Sequence, residues 1–347
     1  MKKRLKILNL IDIPWSSAVA DYALAQCEVL SKKGHEIYFG ASKESFSFKA
    51  AKEKGYKVMP FPDRKKILTP IDIFSLVSFC KKEKIDIINA HTGRALTAAA
   101  ATKVFCPFLK TVRTKSDAKS PSVNLISKSV SLIICGSKHI EKMYSQKAHN
   151  LPLKTIYKGE KEIKQSPLPI SPPFKIGLLG RLDPVKGHSI LIKAGICILE
   201  KGKDCLFYFA GKEENIQWKK LEDLIPSKFK SKFSYLGKIE NPRSFIESCH
   251  IGVIPSLSSE AVSRAALEWI SAGRPLICSN TGSLGEYVSK KFLFRPGDYE
   301  ELSSKLEELL SKNEIEKTAL ENFNKAINLF SFEKFSQDTE KAFLELF

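Results

Sequence analysis

Short apolar runs typical of strands alternate with longer amphipathic runs along the whole chain, and this alternation limits the fold more than any other feature. In the first half the predicted strands are LKILNLI, HEIYFG, KVMPF, DIINA, KTVRT, SLIICG and KTIY. Apolar residues at helical spacing separate them, most clearly over 70–84 and 94–104. A β-α-β-α order predicts a parallel, doubly wound sheet with helices on its faces.

A proline-rich segment, KEIKQSPLPISPPF at 161–174, interrupts this alternation near mid-chain. Neither a helix nor a central strand tolerates four prolines so close together, so a domain linker is predicted here. After it the alternation resumes with KIGLL, CLFYFAG, FSYLG, IGVIPS and PLICS, a helix over 188–201, and closing helices over 299–312, 314–330 and 331–347. We therefore predict an α/β protein with Rossmann-like domains over 1–165 and 166–330, and a C-terminal helix over 331–347 that packs back toward the first. The length of 347 residues suits two such domains.

The composition is that of a folded protein, with 43% apolar and 27% charged residues. Eight scattered cysteines without a C-x-x-C pair are expected to be buried thiols in a reducing, cytoplasmic setting. Six histidines without ligand spacing predict no structural metal. No apolar run approaches the ~18–20 residues of a membrane span. Asp12 interrupts the first apolar run, which favours a first strand over a signal peptide.

The positive charge lies almost entirely in the first half of the chain. Residues 1–170 carry 31 Lys and Arg against 14 Asp and Glu, whereas 171–347 carry 25 against 24. Such asymmetry indicates an anionic partner for the first domain, which could be nucleic acid, a phosphorylated acceptor or a membrane surface. No nucleic-acid-binding motif occurs, so no nucleic-acid partner is predicted. The segments KESFSFKAAKEKG and FPDRKKILTPIDIFSLVSFCKKEK either contact an anionic membrane or are ordinary solvated helix faces.

The loop Gly180–Gly187, GRLDPVKG, follows the predicted strand KIGLL and precedes a helix. Gly180 allows the backbone to lie close to a ligand. Arg181 and Lys186 could both reach an anion beyond the strand end. The alternative is a surface loop with two solvated cations.

Two glutamates, Glu260 and Glu268, stand eight positions apart after the strand IGVIPS. Eight helical residues rotate by about 800°, so the two side chains would not stack on one helix face. We expect Glu260 at or before the helix start and Glu268 two turns in. The free N–H groups at this helix start suit a diphosphate, with Glu260 accepting hydrogen bonds from nearby hydroxyls. The alternative is a carboxylate that simply stabilises the helix dipole.

Together, GRLDPVKGHSILIKA and PSLSSEAVSRAALEWISAGRPLICSNTGSLGEYV resemble the retaining, nucleotide-sugar-dependent glycosyltransferases of family 4. That family is characterised by a G-R-L-x-x-x-K-G loop, Glu-x7-Glu, an A-x-G-x-P turn and a G-x-x-E loop, and all four patterns occur here in order. In the first half, LSKKGHEIYFG and DIINAHTGRA are also similar to the family. The resemblance implies the GT-B fold, in which two Rossmann-like domains face each other across a cleft.

The resemblance also implies roles for individual residues. Arg181 and Lys186 would hold the donor diphosphate, Glu260 would bind hydroxyls of the donor sugar, and Glu268 would bind the ribose. The other implied positions are Gly180 and the backbone of Val262, Ser263 and Arg264 on the donor side, with His91 facing the cleft near the transferred sugar. Fixed cations can stabilise the leaving diphosphate without a metal. Since no D-x-D motif occurs, neither a metal nor another cofactor is expected.

The sequence departs from the family where a glycine-rich loop usually follows the first strand. Here IDIPWSSAVADYA has no glycine, and Ser16 and Ser17 are the small residues that would approach the donor. Ala261-Val262 replaces Phe-Gly after the first glutamate, and Ser263-Arg264 resembles members acting on lipopolysaccharide core or other envelope glycans.

We therefore predict a glycosyltransferase that moves a sugar to a lipopolysaccharide-core, envelope-polysaccharide or lipid-linked acceptor, peripherally at the inner face of the cytoplasmic membrane. The alternatives are a sugar-nucleotide epimerase or a phosphorylase on the same fold, and a binding protein that kept the fold without activity.

Overall fold

The computed structural model describes residues 3–258 and 260–347, and the chain folds as two compact α/β units. Unit 1 runs to Gly159 and resumes over Phe332–Phe347, and unit 2 covers Glu160–Ser331. The division at Gly159 lies six residues before the predicted boundary after 165. The proline-rich segment therefore belongs to unit 2.

Unit 1 is built around a seven-stranded parallel sheet with the order β3-β2-β1-β4-β5-β6-β7. Its strands are β1 (Lys6–Leu10), β2 (Glu36–Ala41), β3 (Lys57–Pro60), β4 (Ile87–Ala90), β5 (Lys110–Lys115), β6 (Leu132–Cys135) and β7 (Leu153–Thr155). The helices that connect them are α1 (Ala18–Lys32), α2 (Phe46–Glu53), α3 (Pro70–Glu83), α4 (Gly93–Phe105), α5 (Leu125–Lys128) and α6 (Lys138–Ser145). The strand order reverses between β1 and β4, which creates a crevice beyond their carboxyl ends.

Local sequence explains where these helices begin. The Thr69 hydroxyl accepts a hydrogen bond from Asp72 N, the Asp72 carboxylate accepts one from Thr69 N, and Pro70 occupies the first turn of α3. Thr92 caps α4 in the same way through Ala95 N. The helices predicted over 70–84 and 94–104 are α3 and α4.

Unit 2 is built around a six-stranded parallel sheet with the order β10-β9-β8-β11-β12-β13. Its strands are β8 (Phe174–Leu179), β9 (Cys205–Ala210), β10 (Phe233–Tyr235), β11 (Ile251–Ile254), β12 (Leu276–Ser279) and β13 (Leu293–Phe294). Its helices are α7 (His188–Glu200), α8 (Trp218–Glu222), α9 (Pro242–Ser248), α10 (Arg264–Ser271), α11 (Tyr299–Leu309) and α12 (Lys312–Phe330). Here the strand order reverses between β8 and β11.

The last helix, α13 (Phe332–Leu344), packs on α1 in unit 1. The ring of Phe335 meets that of Tyr22 edge-on at 5.6 Å between centroids. Nearby, Nε2 of the buried His35 lies 3.6 Å from a carboxylate oxygen of Glu340. An apolar contact and a polar contact thus both hold the C-terminal helix on unit 1.

Two glycines set the position of α10 on its sheet. Gly177 of β8 pairs with Gly252 of β11, and the fully buried indole of Trp269 packs over both. A Cβ built on Gly252 would lie 2.4 Å from this ring, and one on Gly177 2.9 Å from it. Without side chains at these two positions, α10 lies close to the strands at the reversal point.

Arg274 anchors the proline-rich segment to unit 2. Its buried guanidinium donates from Nη1 to Ser166 O at 2.7 Å and from Nη2 to Glu247 O at 2.8 Å. Lys164 N also donates to Ser271 O at 3.0 Å. The A-G-R-P turn after α10 therefore holds the chain that enters the unit.

All eight cysteines lie within the described residues as unpaired thiols, and seven of them are buried. Among the described helices, none combines the length and the apolarity that a membrane crossing requires.

Candidate functional site

The loops that follow β8 and β11 are locked together at the reversal point of the unit 2 sheet. Leu257 N donates to Val185 O at 2.7 Å. Gly187 has φ +71°, and a Cβ built on it would lie 1.9 Å from Pro255 O. Only glycine allows this approach at this backbone angle. The second glycine of G-R-L-D-P-V-K-G is thus required by the packing of two loops.

This packing brings Lys186 to Glu260. Lys186 Nζ lies 2.5 Å from Glu260 Oε1, and Ser256 Oγ donates to the same oxygen at 2.8 Å. The Glu260 side chain is 5% exposed, whereas that of Lys186 is 28% exposed. The carboxylate is therefore fixed in place and the ammonium reaches the surface. The sequence indicated both charges, but Ser256 was missed because one serine after a strand has no distinguishing pattern.

A third loop fixes the backbone of Glu260. Ser283 N donates to Glu260 O at 2.6 Å. Gly282 has φ +55°, and a Cβ built on it would lie 1.9 Å from Glu260 O. The loop after β12 therefore fixes Glu260 through its backbone carbonyl oxygen, which leaves the side chain to Lys186 and Ser256.

Arg181 is the more exposed cation of the site, with half of its side chain accessible. Its Nη2 lies 3.4 Å from Asp183 Oδ2, and its Nη1 lies 3.9 Å from Glu214 Oε1. Asp183 also accepts from Val185 N at 3.0 Å and from Asn215 Nδ2 at 2.7 Å. The bond from Val185 N is the main cause of the lowered pKa of Asp183. Asp183 and Asn215, which the sequence did not single out, order the loop and leave the guanidinium open to an anion.

The two glutamates occupy different places, as predicted. Ser263 is the N-cap of α10 and accepts from Ala266 N at 3.4 Å, so Glu260 lies three residues before the N-cap. Glu268 is the fifth residue of α10, and its Oε1 lies 3.2 Å from Arg264 Nε. Glu268 lines a separate cavity of about 190 Å³ with residues 241–243. Val262 is half-buried, and so is Gly180, the first residue of the loop after β8.

His188, at the start of α7, is a buried residue that the sequence did not single out. Burial lowers its pKa to about 4, so the ring is neutral at pH 7. Its ring lies 6.2 Å from that of Phe209. It packs beneath the loop that carries Lys186 and adds no charge there.

In unit 1 the structure corrects the expectation for His91, which was predicted to face a cleft. The ring has no exposed surface, and its Nε2 lies 3.0 Å from Asn9 Oδ1 and 3.2 Å from Asn89 Nδ2. Burial lowers its pKa to about 3, with a smaller contribution from Arg113. The strand end that carries His91 points the ring into a buried polar network, so in this structure it cannot touch a sugar.

Ser16 and Ser17 lie before α1. Ser17 is its N-cap and accepts from Ala20 N at 3.2 Å, while Ser16 is exposed. The Ser17 hydroxyl therefore caps the helix.

Within residues 3–258 and 260–347, no three His, Cys, Asp or Glu side chains lie close enough together to hold a metal ion.

The loops of this site lie within a part of the chain that matches a protein-family model. Residues 173–312 match the family model described as glycosyl transferases group 1. An uncharacterised glycosyltransferase of Methanocaldococcus jannaschii is 30% identical over 221 residues, or 62% of this chain. The match spans 59% of that relative, so the chain covers about three fifths of its length.

Comparison with solved structures shows the fold. A glycosyltransferase from Rickettsia africae superposes with a TM-score of 0.85 at 16% identity, covering 99% of this chain and 98% of its own. Anabaena HepE, solved with UDP and glucose, superposes with a TM-score of 0.78 at 20% identity, covering 98% and 99%. The predicted GT-B fold class and the resemblance to glycosyltransferases are confirmed.

Proposed function

We propose that this GT-B protein, whose residues 173–312 match the group 1 glycosyl transferases, is a retaining glycosyltransferase that uses a nucleotide-sugar donor. The observation that carries the proposal is the contact of Lys186 with the buried Glu260, beside the exposed Arg181, at the reversal point of the unit 2 sheet. Ligands of open parallel sheets bind at such points. A cation pair and a fixed carboxylate there suit a diphosphate joined to a polyhydroxy ring.

The chemistry assigns a task to each charge. Breaking the bond between the anomeric carbon and the diphosphate leaves negative charge on the departing group. Arg181 and Lys186 offset that charge at fixed positions, so we propose that the reaction needs no metal ion. Glu260 accepts hydrogen bonds from hydroxyls of the donor sugar. The new bond forms to a hydroxyl oxygen of the acceptor, whose proton is released.

The nucleotide is assigned to the cavity beside α10. Glu268 is proposed to accept hydrogen bonds from the ribose hydroxyls. The cavity of about 190 Å³ that it lines is also bordered by Glu160, Glu162, Asn241, Pro242, Arg243 and Ser271. The backbone from Val262 to Arg264, together with Gly180, would approach the diphosphate. Because Anabaena HepE was solved with UDP and glucose, a UDP-hexose is the first donor to test.

We propose that the acceptor is a lipid-linked or lipopolysaccharide-core glycan met at the cytoplasmic face of a membrane. An exposed group of large apolar side chains in unit 1 supports this. We call it the α3–α4 patch, and it consists of Ile67, Ile71, Phe74, Val104, Phe105 and Phe108.

The α3–α4 patch joins two helices. The rings of Phe74 and Phe105 meet at 5.8 Å between centroids, although about half of each side chain stays exposed. Ile71 lies one turn before Phe74 on the same face of α3 and is 79% exposed. Large apolar side chains clustered in the open are typical of interaction sites. Lys65, Lys66 and Lys103 are near them in sequence, as an anionic membrane surface requires.

The test of the function is transfer and hydrolysis with a panel of UDP-, GDP- and ADP-sugars. We expect one donor to be used, and Lys186→Ala and Glu260→Gln each to lower its turnover by about 10²-fold or more, because each removes a fixed charge at the reacting groups. Lys201→Ala, a charge removal at the far end of α7, should match the wild type. EDTA should leave the rate unchanged.

Two outcomes would contradict the proposal. One is that no nucleotide sugar binds, and the other is that both site variants match wild type. Conversion of the donor sugar to an epimer without transfer would identify an epimerase instead.

A further inference from the structure

We infer that a basic pocket in unit 1 binds a phosphate or diphosphate group carried by the acceptor. That the phosphate belongs to the acceptor rests on the proposed function. The pocket itself is formed by residues of unit 1 alone. It has a volume of about 580 Å³ and lies at the carboxyl ends of β1, β4 and β5, where the strand order reverses. Both its size and its place are those of small-ligand sites in parallel sheets.

The pocket is electropositive. Seven charged side chains line it, five cationic and two anionic, which gives a net charge of +3. The cations are Arg64, Arg94, Arg113, Lys115 and Lys119, and the carboxylates are Asp12 and Asp117. Arg64 Nη2 lies 3.4 Å from Asp12 Oδ1, and Lys115 Nζ lies 2.6 Å from Asp117 Oδ1. The two carboxylates therefore leave most of the positive charge uncompensated.

Two of the cations are buried at the end of β5. Arg113 is 5% exposed and donates from Nη1 to Ala90 O at 2.9 Å and to Thr114 O at 2.7 Å. Lys115 is 3% exposed. Burial is the first cause of the lowered pKa of each group. Both share Asp117, whose Oδ2 lies 4.0 Å from Arg113 Nη2. Burying two cations against one carboxylate is costly, and a bound anion would offset the cost.

Arg94 is the independent indication of a ligand. Its Nη1 donates to Asp63 O, whereas its Nη2 is buried and has no hydrogen-bond partner among the described residues. A buried donor without a partner is uncommon and costs free energy. Arg94 is the second residue of α4, so the positive end of a 13-residue helix faces the same pocket.

The residue types select phosphate over other anions. Guanidinium groups offer paired donors that match phosphate oxygens, and three arginines line the pocket. A cavity of this size accommodates a diphosphate with part of a sugar, but not a nucleic-acid duplex. The phosphate could belong to a lipid diphosphate or to a phosphorylated glycan, and both present the same chemistry to Arg94.

The experiment measures inorganic pyrophosphate binding by calorimetry in an Arg181→Ala/Lys186→Ala background, which removes the cations of the unit 2 site. Adding Arg94→Gln should weaken binding by about tenfold or more, because a charge-assisted bond is lost. Lys142→Gln removes an equal charge from exposed α6 in the same unit and should change Kd by less than about twofold. Lys119→Gln, at an exposed pocket position, should also weaken binding and keeps the test valid if Arg94→Gln does not fold.

Equal pyrophosphate affinity in the pocket and control variants, or no binding to the background protein, would overturn the inference. UDP binding to otherwise wild-type protein is measured in parallel and should not depend on Arg94. If UDP fails to bind while Arg94-dependent pyrophosphate binding persists, the proposed function fails and the anion site stands. If UDP binds and the pyrophosphate result is negative, the inference alone fails.

The source of the phosphate is distinguished by two further ligands. Tighter binding of geranyl monophosphate than of glucose 1-phosphate, which carries the same phosphate group, supports a lipid-linked acceptor. The reverse order supports a phosphorylated glycan.

Discussion

Lys186 Nζ lies 2.5 Å from Glu260 Oε1, although the two residues are 74 positions apart in the sequence. Three loops, after β8, β11 and β12, meet to produce this contact. Glu260 is buried, so water cannot replace Lys186 as the partner of its carboxylate, and the pair couples the stability of unit 2 to its proposed site.

Removing only the lysine should leave a buried carboxylate without its cation. We expect Lys186→Met to lower the free energy of unfolding by about 2–3 kcal/mol, below the full cost for a buried pair because Lys186 is partly exposed. The double variant Lys186→Met/Glu260→Gln should recover part of that loss. Urea denaturation checks both. Lys201→Met breaks an exposed pair with Glu307 and should lower the free energy of unfolding far less than Lys186→Met does. A double variant less stable than Lys186→Met would contradict the coupling.

Gly187→Ala should destabilise the protein by about 3 kcal/mol, from positive φ and from a clash with the backbone of Pro255. Gly202→Ala is the matched control. Gly202 has φ +73° with no neighbour within 4 Å of a built Cβ, so only the φ cost of about 1 kcal/mol remains. Chemical denaturation of the two variants separates the cost of the positive φ from the cost of the clash. An equal decrease in the free energy of unfolding for both would show that the contact with Pro255 is unimportant.

Arg274→Lys should cost about 2 kcal/mol, because lysine cannot donate to Ser166 O and Glu247 O together. Arg295→Lys, at a side chain 79% exposed, should leave the free energy of unfolding unchanged. Limited proteolysis near 161–174 should also be faster in Arg274→Lys. Unchanged cleavage would mean that other contacts hold the segment.

Stability should fall as the pH is lowered from about 6.5 toward 3. Burial lowers the pKa of His91 to about 3, below the ~6.5 of an unfolded histidine, so the unfolded state binds more protons in this window. The contribution of His91 to the free energy of unfolding should be about 2 kcal/mol smaller at pH 5 than at pH 8. His188, with a pKa lowered to about 4, acts in the same direction. Urea unfolding of His91→Asn at both pH values should give a smaller difference than wild type, and an equal difference would contradict this assignment.

Phe74→Ser/Phe105→Ser should reduce sedimentation with anionic vesicles with little loss of stability, because about half of each side chain is exposed. Leu320→Ser/Ile327→Ser, on exposed positions of α12, is the control. High salt should weaken binding of the wild type. Absence of vesicle binding at low and high salt would refute the membrane proposal.

The sequence predicted most elements correctly because their signals are local. Apolar residues at helical spacing placed α3, and the order of the glycine and charge motifs placed Arg181, Lys186 and Glu260 after strand ends. The proline-rich segment was predicted to be a domain linker, but prolines carry no information about which unit they pack on, and the segment belongs to unit 2. Arg274, more than 100 positions away from Ser166, decides that.

His91 shows where local signals stop. A histidine after a strand looks the same in sequence whether its ring is exposed or buried. Here the ring is buried because its Nε2 contacts Asn9 and Asn89, which lie on the neighbouring strands β1 and β4. The basic pocket is a further case, since its cations come from 64 to 119 and only the strand order brings them together.

By itself, the sequence determined the two α/β halves, the helix starts and the charge asymmetry, because periodicity, capping and composition act over a few residues. Only the tertiary structure decided the contact of Lys186 with Glu260, the burial of His91 and the gathering of Arg94, Arg113 and Lys115. These depend on strand order and on glycines that let loops approach, which are properties of distant segments packed together.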